Sequence, residues 1–409
     1  MPGETNHFLD ADFPADPYPG GSPACSFVHL DGVGHRLAPD PTRYAGWRLA
    51  DPDADADADA ANLVDLDDWL AAHRAPPLAA RVPVLSYGSN RCPSKITWLR
   101  EQLGLTGPVV VLDVVTEGVA AVWAAGLRAR DGQRPAVLTA APGVTERHAV
   151  WLATPEQVAV LDRCEGRGTR YRLARLRTGR VHTEDGALLD RPWCYLAAGP
   201  VRAPLLVAGA PVRCAELGQR EALELTGVPA DGDGLAADEQ LGAPHPDEWP
   251  AALFGYGLLR PGRSGWPLVA PHAAGPGRPA RARGSRYDTG LGWPAMLLGT
   301  APDVPGTLTP LVDPARLLPK LDEYEGADYR RVRLTLAADG SGDRTDESAV
   351  TWSYVWIGDR SRLRRTHPPA DPGINGRRSG EWRSQSPGSR TGNSGETQGG
   401  EGERYEFDS

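Results

Sequence analysis

Two short stretches and the glutamates that follow them are the residues whose types and spacing point to chemistry. An apolar run ending in Ser86 leads directly into Tyr87-Gly88-Ser89-Asn90, and Glu165 lies further along the chain, near the end of a Leu-Asp-x-x-Glu-Gly motif. A strand that ends in an open turn presents backbone N–H groups that bind an anion or a developing oxyanion. A partly buried glutamate beside that turn would have a raised pKa and act as a general base and acid. The combination suits an acyl transfer in which the substrate supplies its own nucleophile.

The same pattern recurs in the second half of the chain. Tyr256-Gly257-Leu258-Leu259 follows another apolar run, and Glu325 lies in a second Leu-Asp-x-x-Glu-Gly motif. Each motif alone is common as a turn or a helix end, but ordered recurrence predicts two copies of one small domain. The four matches are Tyr87-Gly88 with Tyr256-Gly257, Leu161–Gly166 with Leu321–Gly326, Tyr171-Arg172 with Tyr329-Arg330, and Trp193-x-Tyr195 with Trp352-x-Tyr354.

Other kinds of site find little support in the sequence. It contains no nucleophile elbow, phosphate-binding loop or H-E-x-x-H motif, and its nine histidines show no ligand spacing, so we expect neither a metal nor a cofactor. A net charge of −9 gives no support for nucleic-acid binding. The first residues do not resemble a signal peptide, and no stretch approaches 18 apolar residues, the length typical of a membrane span. We therefore expect a cytoplasmic protein, not bound to a membrane, that acts on a small molecule.

Short helices must carry the two glutamates. Thr154-Pro155-Glu156-Gln157 predicts a capping box with proline at the first helical position, and Gly166 suits a left-handed helix end. Asp313-Pro314 predicts the start of the second helix, whose first turn Pro319 should disturb. A further helix is predicted from Asn62, as N-cap, to Leu70.

Composition predicts five segments. The tail has almost no apolar residues and cannot bury enough surface to offset the entropy of ordering, so it is predicted to be disordered. The segments are an N-terminal extension with an Asp-Ala linker (1–80), a first domain (81–228), a linker rich in Gly, Asp and Pro (229–250), a second domain (251–360) and the tail (361–409).

The motifs resemble those of a known family. Tyr87-Gly88-Ser89-Asn90 with Leu161–Gly166 is similar to the gamma-glutamylcyclotransferase family. The second unit resembles the AIG2-like branch of that superfamily through Tyr256–Arg260, the segment from Tyr287-Asp288 to Pro294-Ala295, and Leu321–Tyr329. The resemblance covers roughly 81–228 and 251–360. Leu258 departs from it, because the branch typically carries Thr at this position.

The resemblance implies an α+β fold of two tandem domains, each a small mixed β-barrel with flanking helices. It implies cyclisation of a gamma-glutamyl group to 5-oxoproline with release of an amine or amino acid, with Glu165 and Glu325 moving the proton. The residues expected to bind the substrate are Tyr87, Gly88, Ser89, Asn90 and Tyr171 in the first unit, and Tyr256, Gly257, Leu258, Leu259 and Tyr329 in the second.

Two alternatives stay open at this point. One is a non-catalytic ligand-binding or scaffold protein on the same fold. The other is removal of a gamma-glutamyl protecting group from a biosynthetic intermediate. Fold alone does not decide between them. The sequence also leaves open the leaving group, the active unit and the oligomeric state.

Overall fold

The computed structural model of this chain describes residues 6–50, 63–337 and 348–365. The Asp-Ala repeat and Asn62 lie outside the described residues, as does the predicted tail beyond residue 365. Within the described chain, no helix is both long enough and apolar enough to cross a membrane. The fold is α+β, rich in sheet and with few helices.

Strands dominate the part of the chain before residue 245. Their apolar residues share one core, in which Trp123, Trp151 and Trp193 are fully buried. The strands are β1 (His7–Leu9), β2 (Phe27–Leu30), β3 (Val33–Pro39), β4 (Trp47–Ala50), β5 (Leu63–Asp65), β6 (Val82–Ser86), β7 (Val109–Trp123), β8 (Ala136–Ala153), β9 (Tyr171–Leu176), β10 (Arg180–Thr183), β11 (Trp193–Ala197), β12 (Leu205–Val207), β13 (Ala210–Pro211), β14 (Val228–Pro229) and β15 (Ala237–Glu239).

Most of these strands belong to one sheet. Its order is β15-β9-β11-β6-β8-β7-β2-β3-β4-β5, with β1 on β3 and β10 on β7, while β12 to β14 form a small separate sheet. Strand β2 runs antiparallel to β7, with Phe27 opposite Val111. The segment predicted as an extension therefore adds strands to the sheet of the first half.

The second half has two smaller sheets. They have the orders β17-β20-β16-β22-β21 and β19-β18-β23. Phe254, Val332 and Val355 are buried in the core of the larger one. The strands are β16 (Ala252–Gly255), β17 (Arg278–Ala282), β18 (Gly284–Asp288), β19 (Pro294–Leu298), β20 (Val304–Pro310), β21 (Tyr329–Thr335), β22 (Val350–Trp356) and β23 (Arg364–Arg365).

The two halves share a strand order. In the first half the run is β9-β11-β6-β8-β7, and in the second it is β21-β22-β16-β20-β17. The strand leading into each Tyr-Gly turn pairs in parallel with the strand of the Trp-x-Tyr motif, with Trp193 opposite Val84 and Trp352 opposite Leu253. This pairing brings the two motifs of each half together.

The expectation of closed barrels is wrong. In the first half, β2 and β10 pair with β7 while β15 pairs with β9, so both outer strands are already occupied and do not meet. In the second half, among the described residues, a single bridge between Arg281 and Ala337 links the outer strands, and no continuous ladder closes the sheet.

Six helices flank the sheets in the described chain. The capping box of α3 is confirmed, since Thr154 accepts from the Gln157 N–H, and Gly166 ends the helix at φ +67°. Pro319 lies within a continuous α6, so the expected irregular turn is wrong. The helices are α1 (Leu66–Ala72), α2 (Pro93–Leu103), α3 (Pro155–Glu165), α4 (Gln219–Leu223), α5 (Trp266–Val269) and α6 (Pro314–Glu325).

The predicted helix from Asn62 begins later than expected. Leu63–Asp65 pairs with β4 as strand β5, and Asp65 is the N-cap of α1. The Asp65 carboxylate accepts from the Asp67 N–H at 2.8 Å. The short polar side chain of Asp65 ends the strand and starts the helix, an effect that hydrophobic spacing does not reveal.

Strand β21 joins the second half to the rest of the chain through arginines. The Arg330 guanidinium lies 2.8 Å from the Asp67 carboxylate. Arg333 donates to the carbonyl oxygens of Leu78, Ala79 and Pro246 at 2.8–3.1 Å. Its guanidinium lies over the rings of Trp249 and Trp352, 4.9 and 4.6 Å from their centroids. Arg333 therefore connects three segments that are distant in sequence.

We expect Arg333→Ala to lower the free energy of unfolding by about 3 kcal/mol, because three carbonyl groups lose a charged donor and two indole rings lose a packing partner. Denaturant unfolding measures this. Arg316→Ala, at an exposed position of α6, is the matched control and should change stability by less than about 0.5 kcal/mol. Equal effects of the two variants would contradict the role assigned to Arg333.

Candidate active site

The first Tyr-Gly turn is held by hydrogen bonds on both sides. Strand β6 is buried along its whole length and is followed by Tyr87, whose hydroxyl donates to the Tyr195 carbonyl oxygen at 2.6 Å. Ser89–Arg91 then forms a single 3₁₀ turn. The Trp151 indole N–H donates to the Asn90 carbonyl oxygen at 2.8 Å. These bonds fix the loop against the sheet.

Glu165 lies at the C-terminal end of α3, directly beside this loop. The Asn90 amide donates to Glu165 Oε1 at 2.7 Å. Arg170 closes the helix end by donating to the carbonyl oxygens of Cys164 and Glu165. Burial raises the pKa of Glu165, and the hydrogen bond from Asn90 offsets part of that rise. The carboxyl group is therefore positioned and poised to exchange a proton nearer neutral pH than an ordinary glutamate.

A cavity of about 680 Å³ brings the predicted residues of the first half together. Tyr87, Gly88, Ser89, Asn90, Glu165 and Tyr171 all line it. Glu165 is the one carboxylate among its lining residues, whereas the cations are Lys95, Arg128, Arg130, Arg170 and Arg202.

Two of these cations are unusually buried. Lys95 and Arg202 are each only 5% exposed, and Arg202 Nε has no hydrogen-bond partner in the described chain. Burial lowers the pKa of Lys95 to about 8. Lys95 Nζ lies 3.3 Å from the centroid of the Trp98 ring, and Arg202 donates to the Val201 carbonyl oxygen. Neither contact supplies a negative charge, so the first cavity favours a ligand that does.

The second half builds a smaller version of this site. Tyr256, Gly257, Leu258, Leu259, Glu325 and Tyr329 line a cavity of about 250 Å³. Its charged lining residues in the described chain are two carboxylates, Glu325 and Asp328. Burial raises the pKa of Glu325 to about 7. The second cavity is thus acidic and mainly apolar, in contrast to the first.

One pair of hydrogen bonds is the same in both halves and positions both glutamate helices. The Tyr195 hydroxyl donates to the Asp162 carboxylate at 2.7 Å, and the Tyr354 hydroxyl donates to the Asp322 carboxylate at 2.8 Å. Each aspartate lies three residues before its glutamate. The sequence shows all four residues in the repeated motifs, but gives no sign that they pair.

Tyr171 and Tyr329, the tyrosines that follow the two glutamates, also make equivalent hydrogen bonds. The Tyr171 hydroxyl donates to the Ala136 carbonyl oxygen at 3.4 Å, and the Tyr329 hydroxyl donates to that of Pro294 at 2.8 Å. Ala136 and Pro294 are the first residues of β8 and β19. They occupy corresponding places in the two sites.

Sequence reasoning missed several lining residues. Lys95, Arg128 and Arg202 belong to no repeated motif, and Tyr18 comes from the N-terminal segment outside the predicted domain. No group of three or more His, Cys, Asp or Glu side chains that could hold a metal ion occurs in the described chain.

Comparison with known proteins adds family information for the second half. The family described as gamma-glutamyl cyclotransferase, AIG2-like, matches residues 253–384. The match leaves the first half outside its range, so it does not show a second copy. No curated protein matches the chain significantly.

Solved structures match parts of the chain at low identity. YkqA from Bacillus subtilis is 18% identical, covering 26% of this chain and 36% of its own, with a TM-score of 0.20. An uncharacterized protein from Homo sapiens is 17% identical over 37% of this chain and 90% of its own, with a TM-score of 0.26. A gamma-glutamyl cyclotransferase is 16% identical over 37% and 89%, with a TM-score of 0.25.

The raised pKa of Glu325 predicts a pH-dependent loss of stability. The folded protein holds this proton more tightly than the unfolded chain, so stability falls as pH rises from about 4.5 to about 7. Glu325→Gln should remove this loss and be more stable than the parent at pH 8 by on the order of 1 kcal/mol, after allowance for solvent screening.

Denaturant unfolding at pH 5 and pH 8 tests this, because the advantage of Glu325→Gln should grow between the two. Glu323→Gln, an exposed position on the same helix, should show no such growth. A constant difference between Glu325→Gln and the parent would mean that Glu325 is not held in an environment that penalises its charge.

Proposed function

We propose that the protein cyclises gamma-glutamyl conjugates to 5-oxoproline at two sites, with Glu165 and Glu325 as general base and acid. One observation carries the proposal: in each half the glutamate lines the same cavity as its own Tyr-Gly turn. The family match supports it for residues 253–384. The shared strand order and the matching Tyr–Asp hydrogen bonds support a tandem copy. The domain boundaries and a cytoplasmic location stay predictions.

Cyclisation requires the protein to hold the substrate in a reactive conformation and to carry a proton between two nitrogens. The α-amine of the substrate attacks its own γ-carbonyl carbon, forming the new C–N bond of a five-membered ring. The glutamate takes a proton from the attacking nitrogen and returns it to the leaving nitrogen as the original amide bond breaks. Because attack is intramolecular, proximity supplies much of the rate, and the general acid–base contributes about 10²–10⁴-fold.

Charge distinguishes the substrates of the two sites. Asp131 forms ion pairs with Arg128 and Arg130, and the three other cations around Glu165 favour a leaving group that bears a carboxylate, such as an amino acid. Asp328 and apolar side chains around Glu325 favour a leaving amine without negative charge. The larger first cavity also has room for a bulkier leaving group, which is what removal of a gamma-glutamyl protecting group would require.

We expect Glu165→Gln combined with Glu325→Gln to reduce release of 5-oxoproline from gamma-glutamyl conjugates by at least about 100-fold, because both proton carriers are lost. Chromatography of the products measures this. Glu156→Gln with Glu323→Gln changes two exposed glutamates on the same helices and should leave turnover unchanged. Ligand binding without turnover in the parent protein would instead identify a non-catalytic binding protein.

The single variants should separate the two sites by substrate. Glu165→Gln should lose most turnover of gamma-glutamylalanine and keep that of gamma-glutamyl-n-butylamine, since the first leaving group is anionic and the second is not. Glu325→Gln should show the opposite pattern, with kcat/KM changing at least about tenfold for the affected substrate. Loss of both substrates in one variant would contradict the division and place all activity in that half.

A further inference from the structure

Tyr18 belongs to the N-terminal segment and yet forms part of the first site. It lines the cavity that holds Glu165 and is only 7% exposed. A Cβ placed on Gly88 would lie 2.9 Å from the Tyr18 hydroxyl oxygen. Glycine at position 88 therefore makes room for Tyr18, in addition to any room it makes for a substrate.

The Tyr18 hydroxyl is available as a hydrogen-bond donor. Its oxygen accepts from the Ala136 backbone N–H at 2.9 Å, and the described chain supplies no acceptor for its own O–H. The guanidinium of Arg128, another lining residue, lies over the Tyr18 ring, 4.5 Å from its centroid. Arg128 Nε and Nη2 already donate to the Asp131 carboxylate at 3.0 and 2.7 Å. The Tyr18 O–H is therefore the donor that this pair offers to a ligand carboxylate.

The segment that carries Tyr18 is fastened to the substrate loop. The Ser94 hydroxyl oxygen lies 2.8 and 2.7 Å from the carbonyl oxygens of Asp10 and Phe13 and donates its single proton between them. Cys92 Sγ donates to the same Phe13 oxygen at 3.3 Å. Both anchoring residues lie within four positions of Asn90, so the N-terminal segment and the loop that faces Glu165 are held as one structure.

The second half fills the corresponding space differently. Pro294 Cγ lies 2.8 Å from where a Cβ on Gly257 would be. Pro294 corresponds to Ala136, because each accepts from the second tyrosine of its site. Proline has no N–H to satisfy, and its ring occupies the space that Tyr18 takes in the first site. The first site is therefore incomplete without Tyr18, which lies outside residues 81–228.

We infer that Tyr18 is a substrate-binding residue of the first site, donating its O–H to a carboxylate oxygen of the substrate beside Arg128. This inference rests on the proposed function of that site. The carboxylate belongs either to the gamma-glutamyl group itself or to an anionic leaving group. Through Tyr18, the N-terminal segment contributes to substrate affinity at the first site and does not contribute to it at the second.

The test uses full-length protein carrying Glu325→Gln, so that only the first site turns over. Adding Tyr18→Phe should raise KM for gamma-glutamylalanine about tenfold and leave kcat within about twofold, since a binding hydrogen bond is lost and the proton carrier is kept. Tyr44→Phe, in the same N-terminal region but outside both cavities, should leave both constants unchanged. An unchanged KM in Tyr18→Phe would overturn the inference.

Two further measurements separate the remaining outcomes. The inhibition constant of 5-oxoproline should weaken in Tyr18→Phe if the bound carboxylate is that of the glutamyl group, and should not change if it is that of the leaving group. With Glu325 restored, unchanged turnover of gamma-glutamyl-n-butylamine shows that Tyr18→Phe still folds, whereas loss of it means that Tyr18 is structural and overturns the inference.

Failure of the proposed function would be visible separately. It would appear as no 5-oxoproline from the Glu325→Gln parent. Calorimetric titration of gamma-glutamylalanine into protein carrying both glutamine substitutions then tests Tyr18 alone. A weaker Kd at one site on adding Tyr18→Phe supports the inference, and an unchanged Kd overturns it.

Discussion

The parallel pairing of the strand before each Tyr-Gly turn with the strand of the Trp-x-Tyr motif is the contact on which both sites depend. It places Tyr195 beside the end of β6 and Tyr354 in the equivalent position beside β16. Each tyrosine hydroxyl then holds an aspartate of the neighbouring helix. One turn further along, the same helix delivers its glutamate to the cavity. The sheet therefore sets the position of each glutamate, through the hydrogen bond between its tyrosine and the aspartate of the glutamate helix.

The same framework supports two different electrostatic environments. Burial raises the pKa of both glutamates, and of the two only Glu165 has a side-chain amide donor, Asn90, among the described residues. Around this shared carboxyl group the first half places five cations and the second places Asp328. Two halves with the same strand order can place a glutamate in the same position and differ in the charges around it, because the other lining residues come from different segments.

Much of the candidate site could be predicted from the sequence, because its residues recur in order. The two turns, the two glutamates and the two following tyrosines all lie where the motifs suggested, although their roles are still predictions. The α3 capping box could also be predicted, because it involves residues that are close together in the sequence. The closed barrels were wrong because β2, β10 and β15 occupy the outer strands of the first sheet. Pairing between segments so distant in sequence leaves no local pattern.

Tyr18 is a residue of the candidate site that the sequence could not predict. It is a single aromatic residue between Pro17 and Pro19, in a stretch whose composition indicates a loop. Only the folded chain brings it over Gly88 and beside Arg128. A residue that reaches a site through tertiary contact alone has no periodicity or repeated partner to mark it.

A crystal structure of the Glu165→Gln, Glu325→Gln protein with gamma-glutamylalanine tests the central claim most directly. The account predicts that the substrate occupies the first cavity, with its α-amine and its scissile amide nitrogen both within about 2.6–3.2 Å of the side chain at position 165. A substrate bound elsewhere, or bound there with either nitrogen out of reach of that side chain, would contradict the account.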